Sequence, residues 1–363
     1  MIQTDFRLSA LIIYLNIFYT LPLTASQGLS HRPFVSTRGA AMSHALVSLA
    51  DDLDASYYNP AGIGINGTDC INHLYLPLVG SSFNKQGLNL TSDPISQGSR
   101  NPGVHDALNL AKPGMDSYGR ATGLTGIAVD HMILHGYTDL EVFGHAQDED
   151  LTHVAYRQRQ VLGGGFAIES PDKQLSVGVY SSFEWIEDGE LSKDSTDSSI
   201  EETIFDQQRY ERRPVHAGLL WILSPQFQPT LGVSVRDIAG TRAMIGDDEW
   251  KSNGEKKEST NIGFSLTFDL TSYCLWTFAT TIEDVFYPPR LEDYRFGSEI
   301  TLGTFGHNAL FQIRSGYSAQ GSSAGLALNL GLIRAEASLE SIHSGDINPE
   351  NRYSVLISVN AKP

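Results

Sequence analysis

The chain has 363 residues and a formal net charge of −17, from 25 Lys and Arg against 42 Asp and Glu. This acidic balance excludes a nucleic-acid-binding protein, because phosphate backbones are bound through an excess of positive charge. Only two cysteines occur, Cys70 and Cys274, which excludes a disulfide-built scaffold and a cysteine-rich metal site. A bond between these two cysteines stays open if the compartment is oxidising.

Residues 1–25 have the pattern of a secretory signal peptide. Arg7 precedes the apolar run LSALIIYLNIFYTLPL, and small residues around Ala25 offer a cleavage site. The alternative is a transmembrane anchor, which the interruptions at Asn16 and Pro22 disfavour. We therefore expect the mature chain to be exported.

Beyond residue 70 the apolar residues alternate with polar or small ones, as in NIGFSLTFDL (261–270). A period of two is typical of strands with one apolar and one polar face. The pattern predicts fourteen strands, near 71–82, 122–133, 136–146, 153–169, 174–187, 205–223, 229–238, 259–270, 273–283, 295–304, 309–317, 322–330, 332–342 and 351–360.

The connections between these strands alternate in length. Tight turns are expected at sites such as HG (135–136) and GL (331–332), and longer polar loops at sites such as 186–204 and 239–258. Short turns at one end, long loops at the other and an even strand count favour an all-β, antiparallel transmembrane barrel of the outer-membrane kind. A soluble all-β sandwich is the alternative, since single strands of a sandwich show the same alternation.

Motifs for catalysis and for cofactors are missing from the sequence. It contains no phosphate-binding loop, no zinc-type histidine spacing and no serine nucleophile elbow, so we expect no enzyme activity, no cofactor and no metal. Four histidines lie close together in the sequence: His131, His135, His145 and His153. We expect them to lie separately, in the lumen or in loops, and not to form a metal site. The glycine run in LGGGF (162–166) falls in a predicted strand, where glycine indicates close packing or a kink.

Both ends of the chain resemble one known superfamily. RGAAMSHALVSLADDLDASYYNPAGIG (38–64) contains SLADD and then YNPAG, and the C-terminal half carries TLGVSVRDIAG, RFGSEITL and FQIRSGYSAQGSSAGLALNLGLIRAEASLE. This ordered set resembles the long-chain fatty-acid transporter superfamily of outer-membrane proteins (FadL/TodX-like), which includes PorV-like barrels. The resemblance covers both ends well and residues 83–210 poorly.

The resemblance implies a barrel of about 14 strands whose N-terminal segment folds into the lumen as a plug. The expected organisation is a signal peptide at 1–25, a plug at 26–69 and the barrel at 70–363. It implies passive transport of small hydrophobic molecules, such as long-chain fatty acids, across the outer membrane of a Gram-negative-type bacterium. Its expected partners are membrane lipid, a hydrophobic ligand and the barrel-assembly machinery, for a protein expected to be a monomer. The alternative within the superfamily is a non-transporting, PorV-like scaffold that binds secreted or surface proteins.

Two groups of residues are candidates for a functional role. The turn Asn59, Pro60, Ala61 and Gly62 is rigid, because proline fixes φ and asparagine can bond its own backbone two residues on. This turn is a candidate plug or gate element, with a purely structural turn as the alternative. The second group is a candidate luminal charged network, formed by Glu299, Arg314, Arg334, Glu336 and Glu340. Its role is either to select the transported molecule or, as the alternative, to stiffen the barrel through mutual ion pairs.

Overall fold

The computed structural model describes most of the chain after residue 35. The described residues are 36–51, 53–65, 73–83, 116–146, 151–194, 205–224, 228–238, 242–245, 249–252, 259–286, 290–305, 308–330, 333–342 and 350–361. Within these ranges no helix has the length and the apolar character needed to cross a membrane. The predicted signal peptide and Cys70 lie outside them, so the bond between Cys70 and Cys274 that the sequence leaves open is not tested.

Strands make up nearly all of the described structure. They are β1 (His73–Phe83), β2 (Asp116–Val129), β3 (Met132–Ala146), β4 (Leu151–Glu169), β5 (Leu175–Asp194), β6 (Phe205–Arg212), β7 (Val215–Ile222), β8 (Thr230–Arg236), β9 (Arg242–Ile245), β10 (Glu249–Ser252), β11 (Ser259–Thr271), β12 (Cys274–Ile282), β13 (Tyr294–Phe305), β14 (Asn308–Ser318), β15 (Gly321–Leu330), β16 (Ile333–Ile342) and β17 (Glu350–Ala361). A 3-10 helix at Leu291–Asp293 precedes β13.

The antiparallel strands close into a ring. Most strands pair with their sequence neighbours, β8 pairs with β11, and β1 pairs with β17, so that the two ends of the sheet meet. The strands β6 and β7 occupy one place beside β5, and β9 and β10 form a separate hairpin. The described strands therefore fill fourteen places, which confirms the predicted barrel. Closure pairs the first strand with the last, as a sheet surrounded by hydrocarbon requires.

The polarity of the wall is inverted relative to a soluble protein. Along β15, Leu326 and Leu328 are exposed on the outer face, while Ser323 and Ala327 are buried on the inner face. Strand β5 repeats the pattern, with Val177 exposed and its neighbours buried. An outward apolar band and a polar interior are the arrangement that a membrane barrel adopts.

Several predicted strand boundaries were wrong. Strand β5 continues to Asp194, so the first half of the loop expected at 186–204 is strand. The turn expected at 135–136 lies inside β3, and the hairpin instead turns at Asp130, whose left-handed φ of 51° suits a two-residue loop. The single strand predicted over 205–223 is interrupted at Pro214, between β6 and β7. Proline has no N–H to donate to a sheet, and its carbonyl accepts a hydrogen bond from Ser182 N at 3.3 Å.

An N-terminal segment, residues 36–65, packs against the inner face of the wall. It contains the short helices α1 (Thr37–Ala41), α2 (Ala55–Tyr58) and α3 (Gly62–Ile65). Ser36 caps α1, because its Oγ accepts a hydrogen bond from Gly39 N at 2.7 Å. The main apolar cluster joins this segment to the wall, with Leu46 and Tyr58 from the segment packed among Tyr137, Val161 and other wall residues. The core of the described protein thus lies between the segment and the strands.

Candidate functional site

A row of glycines on the inner face of the wall provides the surface on which the N-terminal segment rests. We call this row the glycine belt. It comprises Gly178, Gly218, Gly232, Gly263, Gly297, Gly316 and Gly325. Six of the seven form cross-strand pairs, namely Gly178 with Gly218, Gly232 with Gly263, and Gly297 with Gly316.

The segment approaches this belt too closely for any side chain. A Cβ atom added to Gly178 would lie 2.2 Å from the carbonyl oxygen of Pro60, and one added to Gly232 would lie 2.3 Å from that of Val47. Real Cβ atoms essentially never come within 3.0 Å of another heavy atom. Glycine is therefore required wherever the two backbones meet.

The predicted turn at Asn59–Gly62 lies at one of these contacts. Asn59 is fully buried, and its Nδ2 donates to the carbonyls of Val47 at 2.7 Å and Leu219 at 3.1 Å. Its Oδ1 accepts from Ala61 N at 3.2 Å. The turn is thus hydrogen-bonded both to its own segment and to strand β7.

The other three residues of the turn also make contacts that depend on their size. Ser176 Oγ of β5 donates to the carbonyl of Ala61 at 2.7 Å. Pro60 lies over Gly178, and a Cβ on Gly62 would lie 1.7 Å from the carbonyl oxygen of Ala50. The structure therefore brings all four predicted residues to the junction between the segment and strands β5 and β7.

Four of the five predicted charged residues meet in one buried network. Arg314 Nε donates to Glu299 Oε2 at 2.7 Å, and its Nη1 donates to Glu336 Oε2 at 3.2 Å. Arg334 Nε also binds Glu336. Gln312 Oε1 accepts from both arginines, at 2.5 Å from Arg314 and 3.2 Å from Arg334.

The fifth residue, Glu340, lies apart from this network. Its Oε1 is 3.5 Å from His44 Nε2 of the N-terminal segment. His44 Nδ1 in turn lies 2.6 Å from the hydroxyl of Tyr58, so that Glu340 is connected to the interior of the segment.

Arg38 joins the charged network to the N-terminal segment, and the sequence reasoning missed it. Its Nη1 donates to Asp51 at 2.6 Å and its Nη2 to Glu299 Oε1 at 3.3 Å. The sequence did hold a signal, because Arg38 is the only Lys or Arg between residues 36 and 65, within a segment that carries three aspartates. A lone cation in an acidic buried segment is expected to find carboxylate partners.

A second region of contact between segment and wall encloses a small cavity. Its empty space is about 350 Å³, part of it open to solvent. The segment contributes Leu53, Ser56 and Tyr57. The wall contributes the larger set of Leu124, His135, Tyr137, Val161, Tyr180, Ser182, Glu184 and His216.

Three of these wall side chains form a ladder of parallel rings. The rings of His135 and Tyr180 have centroids 5.3 Å apart at an angle of 6°, and those of Tyr180 and His216 are 5.9 Å apart at 4°. Gly163 of β4 makes this possible, because a Cβ there would lie 1.9 Å from the hydroxyl of Tyr180. The predicted glycine run thus serves close packing.

The closed ring, the apolar outer face and the polar interior define the chain as a transmembrane β-barrel with an N-terminal segment against its inner wall. Its fold is shared with two transporters of known structure. The toluene transporter TbuX of Ralstonia pickettii is 11% identical over 92% of this chain and 99% of its own, with a TM-score of 0.51. The P. putida toluene transporter TodX is 10% identical over 90% of this chain and 99% of its own, with a TM-score of 0.50.

No protein-family model and no curated protein matches the chain. The structural likeness confirms the all-β barrel that the sequence resemblance implied. At such low identity it identifies the architecture and not the ligand, because one fold serves many functions.

Proposed function

We propose that the protein is an outer-membrane transporter that carries small hydrophobic molecules passively, with the N-terminal segment as its plug. The observation that supports this best is the close contact between the segment and the glycine belt, where the wall has no side chains and the two backbones touch. A barrel of fourteen strands has a lumen wide enough for a small molecule to cross only when no other part of the chain occupies it. Movement of the segment away from the wall then opens the path.

The contacts of the segment suit an element that is held and yet can be released. Hydrogen bonds from Asn59 and Ser176 fix one side, and the ion pairs of Arg38 fix the other. Each bond is worth only about 1 kcal/mol net, so a ligand that binds better when the segment is displaced can shift the equilibrium toward that state. Transport of long-chain fatty acids in particular remains a prediction, which rests on the sequence resemblance alone.

Under this proposal the protein resides as a monomer in the outer membrane of a Gram-negative-type bacterium, after insertion by the barrel-assembly machinery. The outward apolar side chains contact lipid, as those of other membrane barrels do.

Transport and plugging are tested together by reconstitution. Liposomes carrying the full mature chain are expected to take up labelled toluene faster than empty liposomes, and a variant lacking residues 36–65 is expected to form a larger pore in planar bilayers. The matched control is Gly123→Ala, since a Cβ at that outward-facing glycine makes only an ordinary 3.4 Å contact. Uptake equal to that of empty liposomes would contradict transport, and unchanged conductance of the deletion variant would contradict the plug.

One observation favours a second candidate, a scaffold for partner proteins. Strands β4 and β5 have 19 and 20 residues, about twice the 9–11 residues that cross a bilayer, so part of the sheet projects beyond it. Ion pairs such as Arg157 with Asp188 at 2.7 Å stiffen this projecting part. A scaffold predicts no hydrophobic uptake in the same liposomes, so the first experiment separates the two candidates.

A further inference from the structure

One side chain that lines the cavity, His135, is buried without a hydrogen-bond partner in the part of the chain that the structure describes. His135 is only 5% exposed, and neither of its ring nitrogens has a hydrogen-bond partner among the described residues. It lines the cavity between Leu53 and Tyr57 of the segment and the wall strands β2 to β5 and β7. A buried polar group without a partner costs about 1–3 kcal/mol, so a molecule that supplies the missing hydrogen bond gains that energy.

We propose that this cavity binds the hydroxyl end of a small, neutral, hydroxylated aromatic molecule, and that His135 is its hydrogen-bonding partner. This inference rests on the proposed transport function and narrows its substrate class. Imidazole presents one donor and one acceptor in its neutral form, and a hydroxyl group can engage either. A hydrocarbon such as toluene fills space here without relieving the unpaired nitrogens.

The lining of the cavity favours an uncharged group, because it carries few charges. The empty space of the cavity, about 350 Å³ with part of it open to solvent, is at the small end of the range of ligand pockets. Glu184 is the only acidic or basic residue, apart from the two histidines, among those that line the cavity. Its Oε2 lies 3.8 Å from Arg212 Nη1, which sits outside the lining, so this carboxylate already has a cationic neighbour and a neutral ligand adds no charge to balance.

The walls of the cavity favour a flat ring behind that hydroxyl. The ladder of His135, Tyr180 and His216 presents parallel rings, and Tyr137 stacks on His135 with centroids 6.2 Å apart. Leu124 and Val161 supply apolar surface. Aromatic pairs gain about 0.5–1.5 kcal/mol beyond the burial of their area, so these walls prefer a ring to an alkyl chain of similar size.

The test compares p-cresol, toluene and decanoate as ligands of the full chain purified in detergent, by titration calorimetry. We expect p-cresol to bind about tenfold more tightly than toluene, and decanoate to bind most weakly, because a site built around a hydroxyl rejects analogues that lack it. His135→Phe should weaken p-cresol binding by about tenfold and leave toluene unchanged. The matched control is His131→Phe, at the β2–β3 turn outside the cavity, which should alter neither affinity.

A second variant, which blocks the cavity but keeps His135, tests the proposal in case His135→Phe does not assemble. Val161→Phe fills the cavity from β4 and should weaken p-cresol binding at least as much as His135→Phe does. Equal affinity of the wild type for p-cresol and toluene would overturn the inference, as would a preference that survives in His135→Phe. Toluene uptake by liposomes without any such preference would leave the proposed transport intact, whereas no uptake at all would refute the transport itself.

Discussion

Replacing Gly178 by Ala tests whether the glycine belt holds the N-terminal segment in place. The new Cβ would lie 2.2 Å from the carbonyl oxygen of Pro60, and ordinary contact begins at 3.4 Å. The turn therefore has to retreat by about 1.2 Å. The strand itself is not disturbed, because alanine adopts extended backbone conformations readily.

That retreat removes hydrogen bonds that join the turn to the wall. The bond from Asn59 Nδ2 to the carbonyl of Leu219 starts at 3.1 Å, and that from Ser176 Oγ to the carbonyl of Ala61 at 2.7 Å, so both exceed bonding distance after the shift. At about 1 kcal/mol each the loss is about 2 kcal/mol. This corresponds to a roughly 30-fold increase in the ratio of displaced to seated segment.

The assay is single-channel conductance in planar bilayers together with uptake of labelled toluene by liposomes. We expect Gly178→Ala to show more frequent open events and faster uptake than the wild type, with normal heat-modifiable migration of the barrel. Gly123→Ala should behave as the wild type does. If Gly178→Ala matches Gly123→Ala in both measurements, the close approach of the segment has no bearing on passage and the reasoning fails.

Three further substitutions examine other parts of the molecule. Pro60→Gly should loosen the turn by on the order of 1 kcal/mol through backbone entropy and raise the leak in planar bilayers, whereas an unchanged leak would leave the turn a packing element. Arg314→Gln should lower the free energy of unfolding by about 3 kcal/mol, because it strands buried carboxylates, as measured by the temperature of heat modification. Arg209→Gln, whose arginine side chain is 73% exposed, is the control and should cost less than about 1 kcal/mol. Leu326→Arg should impair refolding into vesicles by about 2–4 kcal/mol if that residue faces lipid near the midplane, and normal refolding would contradict the assignment of the outer face.

The sequence predicted the strands well because their pattern is local. Alternation over ten residues identifies a strand wherever one face meets lipid and the other meets polar groups. The turn was wrongly predicted at 135–136 because Gly136 was expected to adopt the turn conformation. In the structure Asp130 adopts the left-handed conformation, and Gly136 lies within β3. The hairpin of β9 and β10 was missed because its two strands have only four residues each, too few for alternation to identify them within a long loop.

The candidate site was only partly readable from the sequence, because its contacts join distant residues. Glu299 and Arg314 could be proposed together, since alternation assigns both to polar faces of neighbouring strands. Their link to Arg38 crosses 261 residues and follows from no local pattern. The glycine belt was equally hidden, because a glycine in a strand indicates a close approach without saying which part of the chain approaches.

Under the proposed function, the glycine belt also affects the route that would open if the N-terminal segment moved away. The exposed wall would then present a strip of bare backbone at the belt, with no side chain at those seven positions to hold a passing molecule. Dispersion attraction grows with the number of atoms in contact, so a molecule would be held weakly along this stretch and would cross it quickly. If the proposed transport is correct, recognition and transit are separated in this protein: side chains select the molecule at one place, and the bare backbone of the belt lets it pass at the next.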